Sequence, residues 1–90
     1  MELKDTIEMM TSEDYKERFK AEYYQTKTRY EKLKAFNTEI EAARRTHYMD
    51  TKYPLPQHDC PDELLIEQQS LMGQYLHILE VRAVIEGIKL

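Results

Sequence analysis

Apolar and aromatic residues recur at Tyr15, Phe19, Tyr23, Tyr30, Leu33, Phe36 and Ile40, in steps of three, four and seven. Such steps return to one side of a 3.6-residue helix, so they predict a single amphipathic helix. Thr26 fills the gap between Tyr23 and Tyr30, and neither Gly nor Pro interrupts the run before Pro54. Thr11 or Ser12 can accept from the free N–H groups of the first turn, with Glu13 and Asp14 where the helix dipole favours negative charge. The helix is predicted from about residue 12 to about residue 46, on the order of 50 Å at 1.5 Å per residue. Tyr53-Pro54-Leu55-Pro56 cannot continue it, because proline lacks the amide donor and forces its predecessor extended. Residues 47–60 therefore form a loop. Pro61-Asp62-Glu63 opens a second helix, from about residue 61 to about residue 87, where Gly87 is the expected stop. Leu65, Met72, Leu76, Leu79 and Ala83 form its main stripe; Leu64, Leu71, Tyr75, Ile78 and Ile85 widen it.

The predicted fold is all-α: an antiparallel two-helix hairpin with a short N-terminal arm, residues 1–11, in one domain of 90 residues. Two helices cannot cover each other's apolar surface here, since the second stripe is too wide for one neighbour. A chain this small needs a staple or a partner. A lone Cys60 excludes an internal disulfide and fits a reducing compartment. Oligomerisation remains, so an obligate homo-oligomer of packed hairpins is expected. Gly73 costs about 1 kcal/mol relative to Ala in mid-helix. Close approach of another backbone explains such a residue, and Gly73 and Leu76 are expected at the interface between chains.

Composition narrows the function. The chain is 33% charged and 41% hydrophobic, with a net charge of −4. That describes a globular protein rather than a disordered one. MELKDTIEMM has no long apolar run and is not a signal peptide. No stretch approaches the roughly 18 apolar residues that span a bilayer, so the protein is expected to be soluble and intracellular.

Within this acidic chain the segment KERFKAEYYQTKTRYEKLK, residues 16–34, is locally basic. Lys16, Lys20, Lys27 and Lys34 advance by four, seven and seven and share one face. Tyr24 lies between Lys20 and Lys27 on that face, and Arg18 and Arg29 lie to one side. Cations interleaved with aromatic rings suit a ligand with phosphates to neutralise and bases to stack. By spacing alone, an aromatic every three or four residues is more often core, and a charge run more often a solvated face. Double-stranded DNA fits poorly, because the net charge is negative and no recognition-helix motif appears.

Other chemistry is weak. His47, His58, Asp59 and Cys60 lack zinc-site spacing, and a buried Cys60 capping the second helix is the better expectation. Cys60 and the histidines have no catalytic context, no glycine-rich phosphate loop exists, and His77 suits a helix surface. The chain is expected to be no enzyme and to need no cofactor.

The pattern EDYKERFKAEY, then RYEKL, then CPDELL followed by LMGQYLHILEVRAVIEGI resembles small helical-hairpin proteins of phages and prophages. These include proteins of crAss-like phages and the hairpin domain of anti-CBASS and anti-Thoeris sponges. The likeness covers residues 12–88 and rests on Tyr30-Glu31-Lys32-Leu33 and on Met72-Gly73 with Leu76 and Ala83. It implies a non-catalytic homo-oligomer, often a hexamer, in the host cytoplasm. Such a protein holds cyclic di- or trinucleotides, or cyclic ADP-ribose isomers, and keeps an immune effector silent. The ligand-binding residues it implies are Tyr15 with Lys16 or Lys20, and Tyr23 or Tyr24; Arg18 and Lys27 join them from the basic face. Where some members carry an Arg at the start of the second helix, this chain has Cys60-Pro61-Asp62-Glu63, whose acids would repel a trinucleotide. Two other classes remain open: an interaction protein that binds a host protein, and a binder of single-stranded nucleic acid.

Overall fold

The computed structural model describes residues 1–90 and contains helices and no strand. A 3-10 turn, Leu3–Thr6, runs into a short helix, α1, Ile7–Met10. The two long helices are α2, Tyr15–Arg45, and α3, Asp62–Glu86. They pack against each other as a hairpin measuring 55 × 25 × 20 Å.

The ends of α2 and α3 follow from local chemistry. Asp14 caps α2: its carboxylate accepts from the Lys16 backbone N–H at 3.0 Å. Thr11 or Ser12 was the expected cap, but the Thr11 hydroxyl donates back to Ile7 O at 2.9 Å, and the Ser12 hydroxyl accepts from the Asp14 N–H at 3.1 Å and shapes the turn before the helix. At α3 the carbonyl of Pro61 accepts from the Leu64 N–H at 3.1 Å, and Asp62 and Glu63 complement the dipole. The expectation of a buried Cys60 at this end is corrected: Cys60 is exposed, because the turn is closed by backbone groups and needs no side-chain cap. Gly87 stops α3 with φ at 71°, the left-handed conformation that glycine adopts without strain. The Ile88 N–H then donates back to Ala83 O at 2.8 Å, and the Ile88 side chain is buried.

The core lies between the two long helices. Phe19 and Tyr23 of α2 meet Leu76, Leu79 and Ala83 of α3, with Ile88 beneath and Tyr24 and Tyr30 packed against the cluster. Four tyrosines cross from one element to another and hydrogen-bond to glutamates. Tyr23 donates to Glu80 at 2.7 Å and Tyr15 to Glu86 at 2.9 Å. Tyr75 donates to Glu22, and Tyr53 of the loop donates to Glu39 at 3.3 Å. The loop is further anchored at Asp62, which holds Arg44 at 2.9 Å and faces His58 Nε2 at 3.0 Å.

The N-terminal arm is folded onto α2 rather than extended. Gln25 Nε2 donates to the fully buried Thr6 Oγ1 at 2.9 Å, and Thr28 Oγ1 reaches Met1 O at 3.3 Å. Ala21, on the same helical face as Gln25 and Thr28, is buried there.

Candidate functional site

The predicted basic face divides in two. Tyr15 is spent on structure, since its hydroxyl also accepts from Arg82 at 2.7 Å. Arg18 turns back to Ser12 O at 2.8 Å, away from the lysine row. Tyr23 is buried, and loss of water together with the Glu80 hydrogen bond pushes its hydroxyl up to about 12. Tyr24 lies half-buried with its ring edge-on to Tyr23 at 5.2 Å. Lys20 pairs with Glu17 at 3.3 Å. Lys16 and Lys27 remain exposed and outside any ion pair, with Lys27 Nζ 5.9 Å from the centre of the Tyr23 ring. Lys20, Tyr23, Tyr24 and Lys27 thus share a neighbourhood, and Tyr15 and Arg18 serve the hairpin instead.

The free end of that row opens into a groove along the α2–α3 seam. Its upper part, about 220 Å³, is lined by Tyr23, Lys27, Tyr30, Glu31, Gly73, Leu76 and Glu80. Tyr30 and Gly73 lead on to a larger cleft of about 500 Å³. In it Tyr30, Asn37 and Arg44 stand seven residues apart on α2, opposite Gln69, Ser70 and Ile66 of α3. The missing Cβ of Gly73 is what lets the Tyr30 ring lie on α3; a Cβ there would sit 3.2 Å from Tyr30 Cε1. Gly73 and Leu76, expected between chains, are therefore occupied within the hairpin. The close approach that Gly73 permits is to Tyr30 of its own chain, and Leu76 is buried in its own core.

Asn37 is the unusual group in this cleft. It is only 9% exposed, the one buried polar side chain of the cleft. Its Nδ2 donates to Leu65 O at 3.0 Å and to Gln69 Oε1 at 2.8 Å. A carbonyl can only accept, so the amide orientation is fixed and Oδ1 is left buried without a donor. Such an orphan acceptor costs about 1–3 kcal/mol. Gln69 is oriented in turn, its oxygen spent on Asn37 and its amide nitrogen making no hydrogen bond within the chain. Arg44, paired with Asp62, stands at the far end, where a second depression of about 520 Å³ adds His47 and Lys52.

Sequence reading missed Tyr30, Asn37, Arg44, Gln69 and Ser70 as site residues. The seven-residue spacing of Tyr30, Asn37 and Arg44 was visible, and a polar residue in a core register is the informative exception. No group of three or more His, Cys, Asp or Glu side chains is arranged to hold a metal. No helix is long and apolar enough to cross a membrane.

A helical hairpin with a groove along its seam defines a small all-α protein. The Sequestin family model matches residues 13–85, both long helices and the loop between them, and the chain belongs to that family. The family name suggests sequestration of a molecule. No curated protein and no solved structure matches the chain.

Proposed function

We propose that the chain is a phage immune-evasion sponge that holds a nucleotide messenger, cyclic or ADP-ribosyl in type, and releases it unchanged. The observation that carries this reading is the groove running from Lys27 past Tyr30 to Asn37 and Arg44. Its components match the parts of such a ligand. Lys27 and Arg44 are cations for phosphates, and charge-assisted hydrogen bonds contribute about 1.5–3 kcal/mol each. Tyr30 offers a ring for a base, for which stacking contributes roughly 1–3 kcal/mol. The Gln69 amide nitrogen, held in place by Asn37 and making no hydrogen bond within the chain, is a donor that a base edge or a carboxamide answers. Glu31, Glu41 and Glu80 accept sugar hydroxyls or amino groups. Lys16 and Lys20 extend the positive edge.

The protein works as a homo-oligomer in the host cytoplasm, and each groove acts once rather than catalytically. Membership of the Sequestin family supports sequestration over cleavage. The groove's modest length and its carboxylates favour a compact nucleotide over a single-stranded nucleic acid, whose backbone needs a continuous basic track.

The test is to incubate the purified protein with a panel of cyclic oligonucleotides and cyclic ADP-ribose isomers, then release and identify what was held. Intact ligand at a stoichiometric endpoint is the expected result. A cleaved product growing with time would identify an enzyme, and an empty protein would sink the nucleotide reading.

A further inference from the structure

The second stripe of α3 stays in solvent. Leu64, Leu71, Ile78 and Ile85 are 54%, 56%, 54% and 77% exposed. They repeat every seven residues, and Val81 (45% exposed) lies among them. A strict seven-residue apolar repeat is the pattern of a helix that packs along its length against another helix. At 100° per residue the row lies on the opposite flank of α3 from the groove residues Ile66, Gln69, Ser70 and Gly73, so covering it leaves the groove open.

We propose that this row is the contact surface for a second copy of the chain, with the two α3 helices antiparallel. This deepens the self-association included in the proposed function. The area needed is available. The chain exposes 6799 Å², whereas a compact monomer of its mass exposes roughly 5,500 Å². The excess of about 1,300 Å² exceeds the roughly 800 Å² that each partner contributes to a standard interface. The radius of gyration of 16.8 Å, against about 12 Å for a compact chain of this length, has the same origin.

Charge sets the direction. Glu63 and Glu67 flank the start of the row, are exposed, and make no ion pair; Arg82, paired with Glu86 at 3.1 Å, and the exposed Lys89 flank its end. A twofold axis between Leu71 and Ile78 brings Glu63 and Glu67 of one helix to the end of the other where Arg82 and Lys89 stand, and keeps the two acidic starts apart. It also stacks Leu71 and Ile78 of the two copies at the centre. A parallel pair would instead place Glu63 and Glu67 beside their own copies, and like charges at that range repel. A lipid surface fits less well, because the apolar row is flanked by acids at its start rather than by the lysines and arginines that anionic lipids attract.

Cys60, alone and exposed just before α3, is a built-in reporter. A nitroxide on the wild-type protein at Cys60 should show a pair distance of roughly 45 Å in the antiparallel arrangement, given 1.5 Å per residue and about thirty residues end to end. A parallel pair would give about 10 Å, the spacing of packed helices. Light scattering at 10 µM should show an assembly, and Ile78→Glu, at a half-exposed position, should keep its helicity by circular dichroism while dropping to a smaller species. Leu71→Glu should do the same. A wild-type monomer would overturn this surface and self-association together. An assembly whose dominant Cys60 distance lies below about 20 Å, by the helix-packing spacing above, would overturn the antiparallel pairing. Assembly unaffected by both substitutions would overturn the surface and leave self-association standing.

Discussion

The Tyr23 hydroxyl donates to Glu80 at 2.7 Å across the helix seam, from a ring that is buried against Leu76 and Leu79. Tyr23 was a candidate for stacking on a base. It is instead one of the tyrosines that fasten α2 to α3 through glutamates, leaving Tyr30 as the ring presented to the groove.

This relationship predicts a pH dependence. A hydroxyl held up at about 12 in the folded chain, against 10.0 for tyrosine in general, favours folding in its protonated form. Its contribution is complete below pH 10 and is lost as pH rises towards 12. Tyr15 and Tyr75 are shifted up by their Glu86 and Glu22 hydrogen bonds and lose their contributions in the same direction. Denaturant unfolding followed from pH 8 upward should show stability falling through this window. Tyr23→Phe should cost about 0.5–1.5 kcal/mol at neutral pH and flatten the alkaline decline. An unchanged decline would assign it to other groups.

Gly73→Ala tests the Tyr30 platform. The substitution gains about 1 kcal/mol of helix propensity, while the new Cβ crowds Tyr30 Cε1 from 3.2 Å and the ring must give by a few tenths of an ångström. The two effects oppose each other, so thermal stability should change little. Nucleotide affinity should fall several-fold, because the ring moves. Equal affinity in Gly73→Ala and wild type, by calorimetry, would remove Tyr30 from the site.

Asn37→Leu separates binding from folding. It removes an orphan acceptor whose burial costs about 1–3 kcal/mol, but it also removes the donors to Leu65 O and Gln69. The net change in unfolding free energy should stay within about 1.5 kcal/mol, the range of one hydrogen bond. Ligand affinity should fall tenfold or more. A stable variant with wild-type affinity would show that Asn37 serves packing alone.

Lys27→Ala and Arg44→Ala should each weaken an anionic nucleotide by about tenfold or more, the equivalent of one charge-assisted hydrogen bond. Their effects on stability should differ. Lys27 makes no ion pair, so its loss should be silent in melting curves, whereas Arg44 anchors Asp62 at the start of α3. Tyr24→Ala, which removes a ring packed on the core, should lower stability as well as binding. Raising salt should reduce affinity in wild type more steeply than in Lys27→Ala. A salt dependence common to both would mean that Lys27 faces no phosphate.

Removal of residues 1–10 should leave both long helices formed and lower the melting temperature. The arm covers Ala21 and supplies the partners of Gln25 and Thr28. A melting curve identical to wild type would show the arm to be dispensable.

The sequence by itself determined the two long helices and the loop between them, but not the turn and short helix of the arm. Steps of three, four and seven placed α2 and α3 to within a few residues, because amphipathic period, proline and the left-handed Gly87 act over a turn or two and need no distant partner. It also determined that the apolar surface of α3 exceeds what one neighbour can cover, a matter of counting residues around a helix. The tertiary structure decided how each side chain is spent. Tyr15 and Tyr23 are hydrogen-bonded to Glu86 and Glu80, which lie more than fifty residues away in sequence. Gly73 faces Tyr30 of its own chain, and the arm folds onto α2 beside Ala21. Tyr30, Asn37 and Arg44 were a spacing in the sequence and became a cleft only when Gln69, Ser70 and Ile66 arrived on the other helix. Periodicity fixes which face of a helix a residue occupies. The azimuthal docking of one helix on another is set by shape and hydrogen-bonding across the seam, and those depend on pairs that no local pattern encodes.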